Sequence, residues 1–252
     1  MSERRAWTRD ELLIAYYLYN QMPFGKISAR NPLIIEIAGL LNRTPSSLSM
    51  KMANIASCDP VITSTGRTGL KGAAKADRDM WAEMSSDWET FFIVTSQAYQ
   101  SLTREKLPSI DDDSQKYIGH ERLSLIKARV GQQQFRQVVL SAYDYKCCIT
   151  GLDIPKLLIA SHIIPWNEKP SQRLNPSNGL CLSSIHDRAF DQGLITLNEH
   201  LELILSSRLI KTNQHFTRSC FEIYEGKTIK LPTKFIPAEE YLAYHRNEIF
   251  IG

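Results

Sequence analysis

The chain has 252 residues, 43% hydrophobic and 23% charged, without repeats or low-complexity tracts, which suits one large or two ordinary globular domains. No apolar run reaches the roughly 20 residues that a membrane-spanning helix needs. The N-terminal stretch MSERRAWTRDELL has no signal-peptide core, so a cytoplasmic protein without a membrane partner is expected. Five cysteines (Cys58, Cys147, Cys148, Cys181 and Cys220) stand at irregular positions. They suggest neither a disulfide framework nor a C-x-x-C zinc pair, and read as small buried hydrophobes.

A net charge of +3 permits nucleic-acid binding without diagnosing it. Its distribution is more telling. Between Phe24 and Arg78 eight basic side chains stand against three acidic ones, an excess that marks a candidate phosphate-facing surface.

In chain order, Thr8 followed three residues later by Glu11 predicts a capping box opening the helix LLIAYYLY. Asn31-Pro32 and Thr44-Pro45 predict two further helix starts, each a capping side chain followed by proline at the first helical position. Two short helices separated by little more than Asn42-Arg43 suggest a helix-turn-helix. In the second of them, Leu48, Met52 and Ile55 form the expected buried stripe. Ser46, Ser47, Lys51 and Asn54 are then expected outside, as small polar and basic groups suited to base edges and phosphates in a major groove. The segment VITSTGRTGLKG reads as a strand and a basic Gly-rich turn, with Arg67 and Lys71 as phosphate contacts. The helix KADRDMWAEMSSDWETFF follows, then the acidic, Pro-containing stretch LPSIDDDSQ as the expected linker. A long helical segment carries Arg129 and Arg136 seven residues apart, hence on one face, where they can straddle a DNA backbone.

Beyond it, an apolar run from Leu157 to Ile164 carries His162 and ends at Pro165, as a strand entering a loop would. A second short apolar segment follows Asn178. SSIHDRAFDQG then reads as a short helix carrying His186 and ending at Gly193. Histidine on a strand, asparagine at a turn and histidine on a helix make a compact ββα arrangement.

These residues resemble the HNH endonuclease family. The elements that carry the resemblance are Ala160-Ser161-His162-Ile163-Ile164-Pro165, Asn178-Gly179-Leu180, and His186 through Phe190-Asp191 to Gly193-Leu194. Cys148-Ile149-Thr150-Gly151 and the lead-in Gly131-Gln132 to Phe135-Arg136 also look like this family, so the resemblance covers roughly residues 120 to 250. It implies an α+β chain. A mainly helical, helix-turn-helix or winged-helix-like reader is expected over residues 1–95, a linker over 96–119 and a ββα-metal nuclease domain over 120–252.

By the resemblance, His162 is the general base that deprotonates an attacking water; an unperturbed imidazole titrates near ~6.5 and accepts a proton at neutral pH. His186 would ligate one divalent metal, magnesium or manganese, and Asn178 would orient His162. Where many family members carry a carboxylate or histidine ahead of the base, this chain has Ser161, a poor ligand for a hard cation. The second protein ligand is left unassigned, with Asp153 and Asp187 within reach. Asp191, about 140° around the helix from His186, is expected to be structural, as is His245. His120, His200 and His215 have no such context, and no structural zinc is expected.

The function implied is a restriction-type endonuclease that cuts double-stranded DNA, reading a particular sequence or a modified base. A homodimer is expected, since two active sites are the simplest way to cut both strands. The alternatives are a DNA-binding regulator with a degenerate nuclease domain, motivated by Ser161, and a less selective toxin or RNA-cutting nuclease.

Overall fold

The structure is a computed structural model that describes residues 5–60, 62, 72–104, 120–211 and 214–252, with only the backbone of 120–127. It divides into two compact units, Met1–Gln137 and Val138–Gly252. Among the described residues no helix is long and apolar enough to cross a membrane.

The first unit is helical: α1 (Arg9–Gln21), α2 (Pro32–Leu40), α3 (Pro45–Ala56), α4 (Lys75–Ser86), α5 (Trp88–Thr103) and most of α6 (His120–Ala142). The helix starts form as their sequences predict. Thr8 and Glu11 close a capping box, Asn31 Oδ1 accepts from Leu33 N at 3.0 Å, and Thr44 Oγ1 accepts from Ser47 N at 3.1 Å. Asn42 turns the chain between α2 and α3 at φ 53°. Glu11 also binds Arg43 through both carboxylate oxygens, at 3.1 and 2.7 Å, and Arg43 stacks 3.9 Å from the Trp7 ring centre. One carboxylate thereby caps α1 and ties it to the α2–α3 turn.

Leu48, Met52 and Ile55 are buried as expected, but Lys51 is buried with them, only 7% exposed. Three residues after Leu48 and four before Ile55, it lies on the inner side of α3. Its ammonium is held by both oxygens of Asp77 in α4, at 2.8 and 3.0 Å. Asp77 also accepts from Ala74 N at the start of α4, at 2.9 Å. Lys51 is therefore a structural cation and not a phosphate contact. Ser46 is exposed, and Ser47 and Asn54 are half-buried. Arg67 and Lys71, with the expected strand and turn around them, lie outside the described residues. Arg129 is exposed and Arg136 half-buried. Helix α5 continues to Thr103, into the span expected as linker, whose remainder from 105 to 119 lies outside the described residues.

The second unit is built on a β-hairpin. Strands β1 (Leu158–His162) and β2 (Gly179–Ser183) pair antiparallel, with Leu158 opposite Ser183 and His162 opposite Gly179. Helix α7 (Ser184–Asp191) follows β2 directly, completing a ββα unit. A second hairpin, β3 (Ile195–Leu197) with β4 (Leu203–Leu205), comes next, then the short helices α8 (Ser207–Ile210), α9 (His215–Cys220) and α10 (Glu239–Tyr244). The chain closes with a single π-helical turn, His245–Ile249. Every residue of β2 is buried, whereas β1 alternates less sharply, with Leu158 and Ser161 inside. Gly193 ends α7 at φ 66°, and a Cβ there would lie 2.0 Å from the Ile249 carbonyl oxygen. Only glycine lets the C-terminal segment pass so close.

The Lys51–Asp77 pair is buried on both sides, so removing one partner strands a charge. Asp77→Ala should cost about 3–5 kcal/mol of stability in urea unfolding, whereas the double replacement Lys51→Met with Asp77→Leu should cost much less.

Candidate active site

Between β1 and β2 the chain makes a long excursion, and Asn178 closes it. Asn178 is 1% exposed. Its backbone carbonyl accepts from Ile163 N at 3.0 Å, its side-chain oxygen accepts from Ile164 N at 2.8 Å, and its amide donates to the carbonyls of Ile164 at 3.3 Å and Gln172 at 3.4 Å. One side chain thus joins both ends of the loop to its middle. Tyr241 of α10 braces the same segment, its hydroxyl donating to Gln172 Oε1 at 2.6 Å.

The residue after Gln172 reaches the histidine of β1. The Arg173 carbonyl lies 2.9 Å from His162 Nε2. A carbonyl can only accept, so Nε2 carries the proton and Nδ1 is the basic nitrogen of the neutral ring. Trp166 meets the imidazole edge-on, with ring centres 5.4 Å apart, and the Arg173 guanidinium lies 4.9 Å from the Trp166 ring centre. Burial pushes the His162 pKa below its ordinary value, and the bond to the Arg173 carbonyl partly offsets this. Burial thus favours the neutral form of the His162 ring.

His162 lines a cleft of about 450 Å³ shared with Ser161, Trp166, Asp187, Asp191 and His245. His186 is not among its lining residues. It is 2% exposed, with Nδ1 2.7 Å from Ser183 Oγ and Nε2 2.9 Å from the Cys220 carbonyl. Both ring nitrogens are therefore engaged on the other side of α7, where the ring packs 5.0 Å from that of Phe221. The helix turns by about 100° per residue, so the next residue, Asp187, points into the cleft instead, and Asp191 one turn later stands at its rim.

The carboxylates carry the mark of this placement. Burial raises the pKa of Asp187, against smaller lowering effects of the Ser161 hydroxyl and Arg188. Asp191 is raised by burial and by the neighbouring charge of Asp187, and lowered by Arg188. Ser161 Oγ is buried and makes no hydrogen bond within ordinary range. Asp153, the other side chain considered within reach, is exposed and does not line the cleft.

Among the described residues no three His, Cys, Asp or Glu side chains converge as a metal cluster. The donors that do line the cleft are carboxylate and hydroxyl oxygens beside the imidazoles of His162 and His245, and the oxygens suit a hard divalent cation in kind. His245 is the member of the lining that the sequence could not place there. Its ring stacks on Phe190 at 3.6 Å, with Nδ1 2.9 Å from Thr196 Oγ1 and Nε2 3.1 Å from the Phe190 carbonyl. It holds the π-helical turn against α7, the structural role expected of it.

Residues 147–198 match the family model described as HNH endonuclease, so a domain of that family is present over this span. No curated protein matches the chain.

His245 gives the second unit a pH dependence. Burial above all lowers its pKa to about 4, against an ordinary 6.5. The unfolded chain therefore binds a proton between those values while the folded one does not, and stability falls as pH drops from 6.5 towards 4. The loss should be on the order of 3 kcal/mol. Urea unfolding across that range should show it, and His245→Gln should flatten the slope.

Proposed function

We propose, from the HNH endonuclease domain carried by residues 147–198, that this chain is a metal-dependent endonuclease that hydrolyses DNA phosphodiesters with His162 as general base. The observation that carries the reading is the bond between His162 Nε2 and the Arg173 carbonyl at 2.9 Å. It leaves Nδ1 as the proton acceptor on a ring that burial keeps neutral.

The chemistry asks for such a base. A phosphodiester resists attack because its anionic oxygens repel a nucleophile and its leaving alkoxide is poor. In this reading Nδ1 takes a proton from the attacking water, whose oxygen bonds to phosphorus as the bond to the leaving oxygen breaks. Asn178 is a positioning residue: it holds Gln172, and through the chain the adjacent Arg173 carbonyl, against the imidazole. Trp166 limits the ring's tilt and shields it from solvent. A divalent cation, magnesium or manganese, would supply positive charge to the phosphoryl and leaving oxygens, and the carboxylates on the cleft wall would hold it.

Residues 1–95 are proposed as the DNA reader in front of a cutting domain over 120–252. Ser46, Ser47 and Asn54 on α3 remain the base-edge candidates, and Arg129 and Arg136 the backbone ones, while Lys51 is withdrawn by its burial. A helix-turn-helix of α2 and α3, a homodimer with two active sites and a cytoplasmic setting complete the reading. Its rival is a DNA-binding regulator with a degenerate nuclease domain, for which Ser161 in the position before the base is the argument.

Purified protein should cut double-stranded DNA in the presence of magnesium or manganese. His162→Ala should lower the rate by about 10²–10⁴-fold without loss of fold by circular dichroism. The acidic limb of the rate profile should have an apparent pKa below 6.5, because burial lowers that of His162. DNA binding without cleavage, across unmodified, N6-methyladenine, 5-methylcytosine and hydroxymethylcytosine substrates, would favour the rival.

A further inference from the structure

We infer that Asp187, Asp191 and the Ser161 hydroxyl form an all-oxygen seat for one hard divalent cation, and that His186 is not a ligand of it. The inference rests on the nuclease reading of the same cleft and replaces the histidine on α7 by the carboxylates on that helix's other face.

Three observations converge on this seat. Asp187 and Asp191 are one helical turn apart, and both line the cleft that holds His162. Neither is held in an ion pair among the described residues, so two like charges face one space, moderated by the flanking Arg188 and, at Asp187, by the Ser161 hydroxyl. Ser161, on β1 across from α7, is the second, independent sign. It is 2% exposed and lines the same cleft, and its Oγ, which stands close to the Asp187 carboxylate, makes no hydrogen bond of ordinary geometry. A buried hydroxyl without a bond of ordinary geometry calls for a further partner.

The occupant is defined by the donors. Carboxylate and hydroxyl oxygens suit magnesium, manganese and calcium, whereas imidazole suits zinc, nickel and copper. Magnesium is commonly held by one or two carboxylates, with waters and substrate phosphate oxygens completing the sphere. Two aspartates and a serine would leave the rest of the sphere to waters and phosphate oxygens, since no three His, Cys, Asp or Glu side chains converge among the described residues. His186 is excluded by its bonds: an imidazole whose Nε2 donates to the Cys220 carbonyl and whose Nδ1 accepts from Ser183 has no lone pair to give.

The test is Mn²⁺ binding to the full chain, followed by electron paramagnetic resonance of the unbound ion and needing no turnover. The wild type should bind one Mn²⁺, and Asp187→Asn and Asp191→Asn should each weaken it about tenfold or more, with a smaller loss for Ser161→Ala. His186→Gln should leave the affinity within about twofold, since it removes no ligand. Pulsed resonance of the ion bound to wild-type protein should show no directly coordinated nitrogen, a measurement independent of whether any variant folds. Coordinated nitrogen, unchanged binding in both aspartate variants, or no Mn²⁺ binding by the wild type would each overturn the seat. If such a protein still cuts DNA, the nuclease reading survives the loss of the seat. If Mn²⁺ binds through Asp187 and Asp191 but no DNA is cut, the seat stands and the nuclease reading falls.

Discussion

The hydrogen bonds of Asn178 hold the loop between β1 and β2 in the shape that brings a backbone carbonyl to His162. A buried side-chain amide satisfies the backbone of Ile164 and reaches Gln172, while its own carbonyl extends the β1–β2 pairing by one step to Ile163. Without it, the loop between the strands would have to bury backbone groups with no partner, and such groups are costly in a low-dielectric interior. The loop's shape in turn decides which carbonyl reaches His162. The tautomer of that histidine, and so the atom that can accept a proton, is set by a backbone group eleven residues away.

The ββα unit is backed by the C-terminal segment, which lies outside the span matched by the family model. Gly193 admits the backbone of Ile249, Ile251 N donates to the Gly193 carbonyl at 3.0 Å, and His245 stacks on Phe190. These contacts hold the last turn of α7, and with it Asp191, beside the cleft. The three histidines around α7 and β1 show how placement separates residues of one type. His245 and His186 each satisfy both ring nitrogens with protein groups, which makes them parts of the scaffold. His162 differs in its place: its Nε2 meets the Arg173 carbonyl and its ring lies on the wall of the cleft.

In the first unit the informative case is Lys51. A helical stripe drawn through Leu48, Met52 and Ile55 leaves a lysine outside only if lysines are assumed to be outside. By angle alone, position 51 belongs to the stripe. A long apolar stem can pack there when the ammonium finds a carboxylate, and Asp77 supplies one from a separate helix. That partner is 26 residues away, beyond the reach of local periodicity. Arg43 repeats the lesson, since its expected place in a basic surface gives way to Glu11 and Trp7.

Read by itself, the amino-acid sequence determined the capped starts of α1, α2 and α3 and the order strand–asparagine–strand–helix around His162 and Asn178. All of these depend on near neighbours along the chain: a cap bonds two or three residues away, and an apolar run declares its own period. It did not determine which side of α7 faces the cleft. His186 and Asp187 are adjacent, and one residue is about 100° of helix, so the choice between imidazole and carboxylate depends on how α7 packs against β1 and on where the Cys220 carbonyl falls. It could not place His245 or bury Lys51 either, because their partners come from distant segments. Those decisions belong to the tertiary structure, where the cost of an unpaired buried group selects which side chains are satisfied by the protein and which are left facing the cleft.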